Sequence, residues 1–187
     1  MSTAALDALR KTFSIPFVGT VPAVKVAAEV STNKRIGIIA TARTINDPYL
    51  DKLIESFAAD CTIEKRADAE LVAKIENGLI TATDEEKRKA VAPAIRQFKA
   101  AGTDTLVLAC THFLHLAETF AKCAAPEIRI VDSLPGVVSH ALDLLPPPSG
   151  TEACRSSCYV TGEITERIDG LYRGYCGLFD LEWKGAL

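Results

Sequence analysis

Long apolar runs are missing from this chain of 187 residues, and with them the usual signature of a transmembrane helix. No strong excess of one charge is present either. Lys and Arg number 21 against 24 Asp and Glu, a net charge of -3. Basic clusters such as Lys87-Arg88-Lys89 alternate with Glu, the pattern of a solvated helix face, so a dedicated nucleic-acid binder is not expected. The glycine fingerprints of nucleotide and dinucleotide loops are absent: Gly37 sits inside an apolar run, and the turn after Thr41 is poor in glycine. Zinc-site spacing is lacking too. Cys154 and Cys158 have no second pair to complete four ligands, and no metal or cofactor is expected. The six cysteines are irregularly spaced in a chain too long to need a disulfide framework, so reduced thiols are expected. The start looks like neither a secretory signal nor a plain transit peptide, and the expectation is a cytoplasmic protein.

What is present is enough apolar residue, 48%, to build one ordinary domain or two small ones. The pattern alternates. Leu6, Leu9 and Phe13 share a helical face, and Ile15 to Gly19 reads as a short strand. Pro22 can open a helix that runs through Val30. Arg35 to Thr41 is nearly all apolar, as expected of a parallel strand covered on both faces. Helix follows from Pro48 to Phe57, a short strand at Cys61 to Glu64, and helix from Glu70 to the breaker pair Asn77-Gly78. Thr83 and Glu86 form a capping box for a helix to about Ala101, with a kink expected at Pro93. Strands are expected at Thr105 to Ala109 and Ile128 to Val131, and helices at Phe113 to Ala121 and Pro135 to Leu145. Residues 145–150 read as a turn or linker because three prolines in a row exclude regular structure. Cys158 to Thr161, a helix at Glu163 to Arg173, and an apolar patch at Leu178 to Trp183 complete the chain. Strand then helix, repeated, predicts an α/β fold with open, mostly parallel sheets and flanking helices.

The most informative run is Asp104 to His112, where an apolar strand ends in a thiol, a hydroxyl and an imidazole. Open α/β sheets bind ligands at such strand-to-helix turns. Amide groups at the start of the following helix are expected to favour a Cys110 thiolate. Taken alone, Cys110 could equally be an inert core thiol. Thr41 and Thr44 could cap a turn, Glu76 and Asn77 could merely end a helix, and Asp132-Ser133 could be a turn.

Several segments together resemble the aspartate/glutamate racemase family. Ala109-Cys-Thr-His-Phe113 is similar to its second catalytic-cysteine motif, and Phe17 to Lys25 to its crossing between two domains. Ile38 to Thr44 resembles the Ala-Thr-x-x-Thr substrate loop; Glu76-Asn-Gly78 and Ile130-Val-Asp-Ser133 match in the right order. The resemblance implies cofactor-independent inversion at the alpha carbon of an acidic amino acid, with glutamate the expected ligand. It implies Cys110 and His112 as catalytic residues, and Thr41, Thr44, Glu76, Asn77 and Thr111 as substrate contacts. It also implies one complete racemase-type domain at 20–126, with 1–19 and 127–187 as an incomplete pseudo-symmetric partner that could dimerise. The family's first thiol lies in a Cys-Asn-Thr-Ala segment, and no such segment occurs in these 187 residues. Ser2 to Leu9 resembles the helix that follows it. Impaired turnover is therefore expected. Ala109, Phe113 and Leu114 depart mildly from the motif, and Asp47 stands where serine is common, a negative charge unwelcome beside a substrate. The alternatives are a non-catalytic remnant binding a dicarboxylate or a protein, or a related aspartate or hydantoin racemase.

Overall fold

The computed structural model describes residues 2–145 and 156–187. The expected turn at 146–150 and Cys154 lie outside them. A helix α1 (Ser2–Thr12) leads through an irregular segment to α2 (Val24–Val30), β1 (Arg35–Ala40), α3 (Ala42–Ile45), α4 (Pro48–Phe57), β2 (Thr62–Ala67) and α5 (Ala69–Glu76). A single 3-10 turn, Leu79–Thr81, precedes α6 (Asp84–Ala100). Then come β3 (Thr105–Leu108), α7 (Thr111–Leu114), α8 (Ala117–Ala124), β4 (Arg129–Val131), α9 (Leu134–Leu144), β5 (Ser157–Val160), α10 (Glu166–Leu178) and β6 (Glu182–Ala186).

The fold is α/β, with parallel strands flanked by helices. A four-stranded sheet has the order β2-β1-β3-β4, parallel throughout, and extends past residue 126 through β4. Strand direction of growth reverses between β1 and β3, which lie side by side in the middle of the sheet.

Both faces of this sheet are covered, as its continuous apolar strands require. Successive side chains point to opposite faces. Ile36, Ile38 and Val107 meet Val24, Ala27 and Leu50 from α2 and α4. Ile39, Leu106 and Leu108 meet Phe98, Phe113, Phe120 and Ile75 from α5, α6, α7 and α8. Gly37 belongs to this packing. A β-carbon there would lie 2.6 Å from the Phe98 ring, so the ring occupies the space a side chain would need.

At the amino end of β3, Asp104 closes the sheet. Its carboxylate accepts from Ser31 Oγ (2.7 Å), Thr32 N (2.7 Å), Thr32 Oγ1 (2.9 Å), Asn33 N (2.7 Å) and Thr105 Oγ1 (2.9 Å). Burial opposes ionisation, but these donors outweigh it and hold the carboxyl at about 2.

The remaining pieces pack more thinly. Helix α9 has no buried residue, and Leu134, Val138 and Leu142 are exposed. β5, α10 and β6 form a small unit around a two-stranded parallel sheet. Tyr172 stacks on Trp183 at 5.3 Å, and Trp183 Nε1 donates to Asp169 (2.8 Å). This unit is tied to the larger sheet domain by Tyr175 Oη donating to the Ile75 carbonyl (2.9 Å) and Arg167 donating to Asn77 Oδ1 (3.0 Å).

Several local expectations are corrected. Residues 15–19 form no strand. Pro16 lacks an N–H, Ile15 is exposed, and the segment has no ladder partner among the described residues. The helix expected over 113–121 is broken between α7 and α8. Tight bonds from His115 N to His112 O and from Leu116 N to Phe113 O turn the chain, and the break lets both Phe113 and Leu116 bury fully. β2 runs to Ala67, beyond Glu64, because all six of its residues pair with β1. The last helix starts at Glu166 rather than Glu163, since Thr165 caps it by accepting from Ile168 N (3.3 Å). The terminal apolar patch is divided: Leu178 ends α10, and only Glu182 and Trp183 enter β6, which pairs with β5 and runs on to Ala186. Helix α6 runs unbroken through Pro93, which is exposed, so water can satisfy the carbonyl that lost its donor. Its capping box is formed as expected: Thr83 Oγ1 accepts from Glu86 N (3.3 Å), and Thr83 N donates to Glu86 Oε2 (2.9 Å).

Candidate active site

β1 and β3 end side by side, Ile39 opposite Leu108, and Ala109 N donates to Ile39 O (2.9 Å) to zip their carboxyl ends. Here the sheet's growth reverses, so the loops after the two strands diverge and leave a crevice. Thr41 follows β1 and caps α3 by accepting from Thr44 N (3.3 Å). Its hydroxyl also lies 3.1 Å from that of Thr44. Cys110 follows β3 in extended conformation and precedes α7. Phe113, one turn on, is fully buried and meets Phe120 edge-on, which pins the turn from below.

Two cavities flank this turn. A cleft of about 170 Å³ is lined by Cys110, Thr111, Thr44, Arg43, Asp47 and Ser133, among others. A larger cavity of about 670 Å³ lies towards the C-terminal unit and is lined by His112, Glu76, Asn77, Arg167, Tyr175 and Cys176, among others. The sequence-predicted residues therefore divide. Thr44, Cys110 and Thr111 share the smaller cleft, while Glu76, Asn77 and His112 line the larger one.

A chain of polar contacts joins the two. Cys110 Sγ lies 3.4 Å from His112 Nδ1, and His112 Nε2 lies 2.9 Å from Glu76 Oε1. A carboxylate only accepts, so it fixes the ring proton on Nε2 and leaves the Nδ1 lone pair facing the thiol. Glu76 is delivered by α5, whose start is fixed by Asp68. That carboxylate caps Leu71 N (3.0 Å) and pairs with Arg66 (2.8 Å). Asn77 ends the helix, donating to Ala73 O (2.7 Å) while accepting from Arg167. His115 is outside this chain. It stands edge-on to Phe179, and burial, followed by electrostatic repulsion between the two imidazoles, lowers its pKa.

The expected thiolate at Cys110 is corrected. Burial raises the pKa of this thiol and outweighs the His112 backbone N–H, with the Glu76 charge pushing it further up. Helix α7 is one turn long, too short for a strong dipole. At neutral pH the group is a proton donor with an acceptor ring beside it. Asp47 does line the cleft, yet its Oδ1 accepts from Tyr49 N (2.9 Å) and caps α4. Arg43, Tyr49, Thr20 and Ser133 also line the cleft. Ser133 stands out in the sequence within Ile130-Val-Asp-Ser133, whereas no residue-level signal marks Arg43, Tyr49 or Thr20 as site residues. Among the described residues no group of three or more His, Cys, Asp or Glu side chains is arranged to hold a metal. Nor is any described helix long and apolar enough to cross a membrane.

Comparison with known proteins agrees with this architecture. The glutamate racemase of Treponema pallidum (strain Nichols) is 43% identical over all 187 residues, which span 69% of that protein. That of Shewanella loihica is 36% identical over 170 residues, covering 89% of this chain and 62% of the relative. In structure, the chain matches Escherichia coli glutamate racemase, solved with L-glutamate and the activator UDP-MurNAc-ala. The TM-score is 0.77 at 29% identity, over 100% of this chain and 70% of that one. The Aquifex pyrophilus glutamate racemase matches with a TM-score of 0.61 at 27% identity, over 98% of this chain and 69% of that one. The Asp/Glu/Hydantoin racemase model matches residues 1–141, and the chain belongs to that family.

Proposed function

We propose that this chain carries one half of a glutamate racemase site, for the cofactor-independent interconversion of L- and D-glutamate that supplies peptidoglycan synthesis in the bacterial cytoplasm. The observation that carries the reading is the Cys110–His112–Glu76 chain opening onto a cleft where the sheet changes direction.

Inversion at an alpha carbon removes a weakly acidic proton from one face and returns one to the other, a task for two thiols acting as base and acid. Cys110, protonated and beside an acceptor imidazole, suits one face. It gives its proton to the carbanion as acid, or passes it towards His112 Nδ1 to become the base. Glu76 orients the ring for either step. Without a cofactor, the carbanion needs fixed donors around it, a role assigned here to Thr44 and Thr111, with Thr41 holding Thr44 in place. Glu76 reaches a substrate in the smaller cleft only through His112, so its part is positioning, while Asn77 lines the larger cavity and holds Arg167. For the opposite face, the family's first thiol motif, Cys-Asn-Thr-Ala, does not occur within these residues. The domain division at 20–126 belongs to this proposal. So does the expectation that these 187 residues alone invert poorly.

L-glutamate in deuterated water tests both parts. Deuterium should enter the alpha position without accumulation of D-glutamate, and Cys110→Ser should abolish the exchange. Rapid formation of deuterated D-glutamate would overturn the incomplete-site claim. Absence of exchange with the native chain, alongside saturable glutamate binding, would favour the non-catalytic dicarboxylate-binding alternative, which the lack of a Cys-Asn-Thr-Ala segment within these residues supports.

A further inference from the structure

Arg43 and Asp47 are the two charged side chains lining the Cys110 cleft. Their situations differ. The Asp47 carboxylate is engaged with the Tyr49 backbone N–H at the start of α4. The Arg43 guanidinium, on the one-turn helix α3, is exposed and has no hydrogen bond or ion pair within the described residues. Elsewhere in this chain charged side chains are commonly paired: Lys65 with Asp51, Lys74 with Glu70, Lys99 with Glu127, Arg173 with Asp169. A guanidinium is always charged, and its planar fork matches a carboxylate in two parallel hydrogen bonds. A free fork beside a thiol and three threonines is a receptor for an anion held close to sulfur.

We propose that Arg43 is the specificity-determining residue of the cleft, receiving the side-chain carboxylate of an acidic amino acid bound beside Cys110. This inference rests on the glutamate reading for the identity of the ligand, but not for the presence of a carboxylate receptor. The Ala-Thr-x-x-Thr loop thereby has two functions. Thr41 and Thr44 fold it, and the variable position between them faces the cleft to read the ligand's charge.

Cys110 itself can report this. Iodoacetate and iodoacetamide alkylate the same thiolate, so the ratio of their rates cancels any change in thiol ionisation and isolates attraction for the carboxylate. The tryptic peptide 100–122 carries Cys110 as its one cysteine, so mass spectrometry follows this site alone. In the native chain the ratio should exceed that of a small free thiol. Arg43→Met should lower it about fivefold, the size expected of a solvent-accessible ion pair, and Arg43→Lys should restore part of it. An unchanged ratio in Arg43→Met overturns the proposal.

Protection of Cys110 from iodoacetamide supplies the second arm. L-glutamate should protect at lower concentration than L-glutamine, and Arg43→Met should erase that preference. A preference that survives the substitution overturns the assignment of Arg43. If neither amino acid protects the native chain while the alkylation ratio still depends on Arg43, the glutamate reading fails and the anion receptor stands.

Discussion

The four-stranded sheet and the pieces around it follow the same alternation of strand and helix, yet they hold together differently. In the sheet, β1 and β3 are sealed on both faces, and Ile36, Ile38, Ile39, Leu106 and Val107 are wholly buried. In the flanking pieces, α9 buries nothing and Cys176 is the one buried apolar residue of the β5–α10–β6 unit. Secondary structure there is held by local bonds, caps and an aromatic stack rather than by a core. An alternating pattern specifies elements, whereas stability comes from what lies across from them.

The contrast is most sharply tested at Phe98, which is fully buried in contact with the sheet. Phe98→Ala should cost about 3–5 kcal/mol in urea-induced unfolding, the range for large core truncations. Gly37→Val probes the same contact from the other side. A side chain placed 2.6 Å from the Phe98 ring must displace it, at about 1–3 kcal/mol or more.

Asp104→Asn should cost about 1–3 kcal/mol, because an amide cannot accept from all five donors. The pH dependence has a definite sign. The folded carboxyl sits at about 2, below its ordinary value of 3.8. Its contribution is therefore complete above about pH 4 and lost as pH falls towards 2. Unfolding midpoints measured across that window should fall in the native chain and flatten in the variant.

Tyr175→Phe removes the hydroxyl that ties α10 to Ile75 and should cost about 1 kcal/mol. Its effect should appear as faster amide exchange confined to the C-terminal unit. The smallest effect is expected at Leu142→Ala on α9, within about 0.5 kcal/mol. A loss there as large as at Phe98 would mean that α9 is covered, and the contrast would collapse.

The same contrast explains what could be read from the sequence. β1, β3 and the capping box of α6 were legible because continuous apolar runs and the Thr83–Glu86 spacing are local signals. The end of β3 at a Cys-Thr-His turn was legible for the same reason. Residues 15–19 looked like a strand, but a strand needs a ladder, and no ladder can be inferred from five residues. The break between α7 and α8 depends on two side chains, Phe113 and Leu116, both reaching the core. Glu76 and His112 were each singled out, but their contact spans 36 positions. Their assignment to a cavity separate from that of Thr44 and Thr111 depends on how α5 packs. Arg43 lies within the Ala-Thr-x-x-Thr segment, but at one of its unspecified positions, so the pattern itself did not mark it. The direction of the Cys110 shift was misjudged because burial, a tertiary property, outweighs the amides at the start of a one-turn helix.

Phe113 has a consequence for anyone who would retune this thiol. The turn bearing Cys110 is seated like a peg, its aromatic root sunk beside Phe120 and its sulfur at the rim. Where the sulfur points is governed from beneath, by hydrocarbon that a small molecule in the cleft does not meet. Reshaping that socket would steer the reactive atom while leaving every ligand contact as it was.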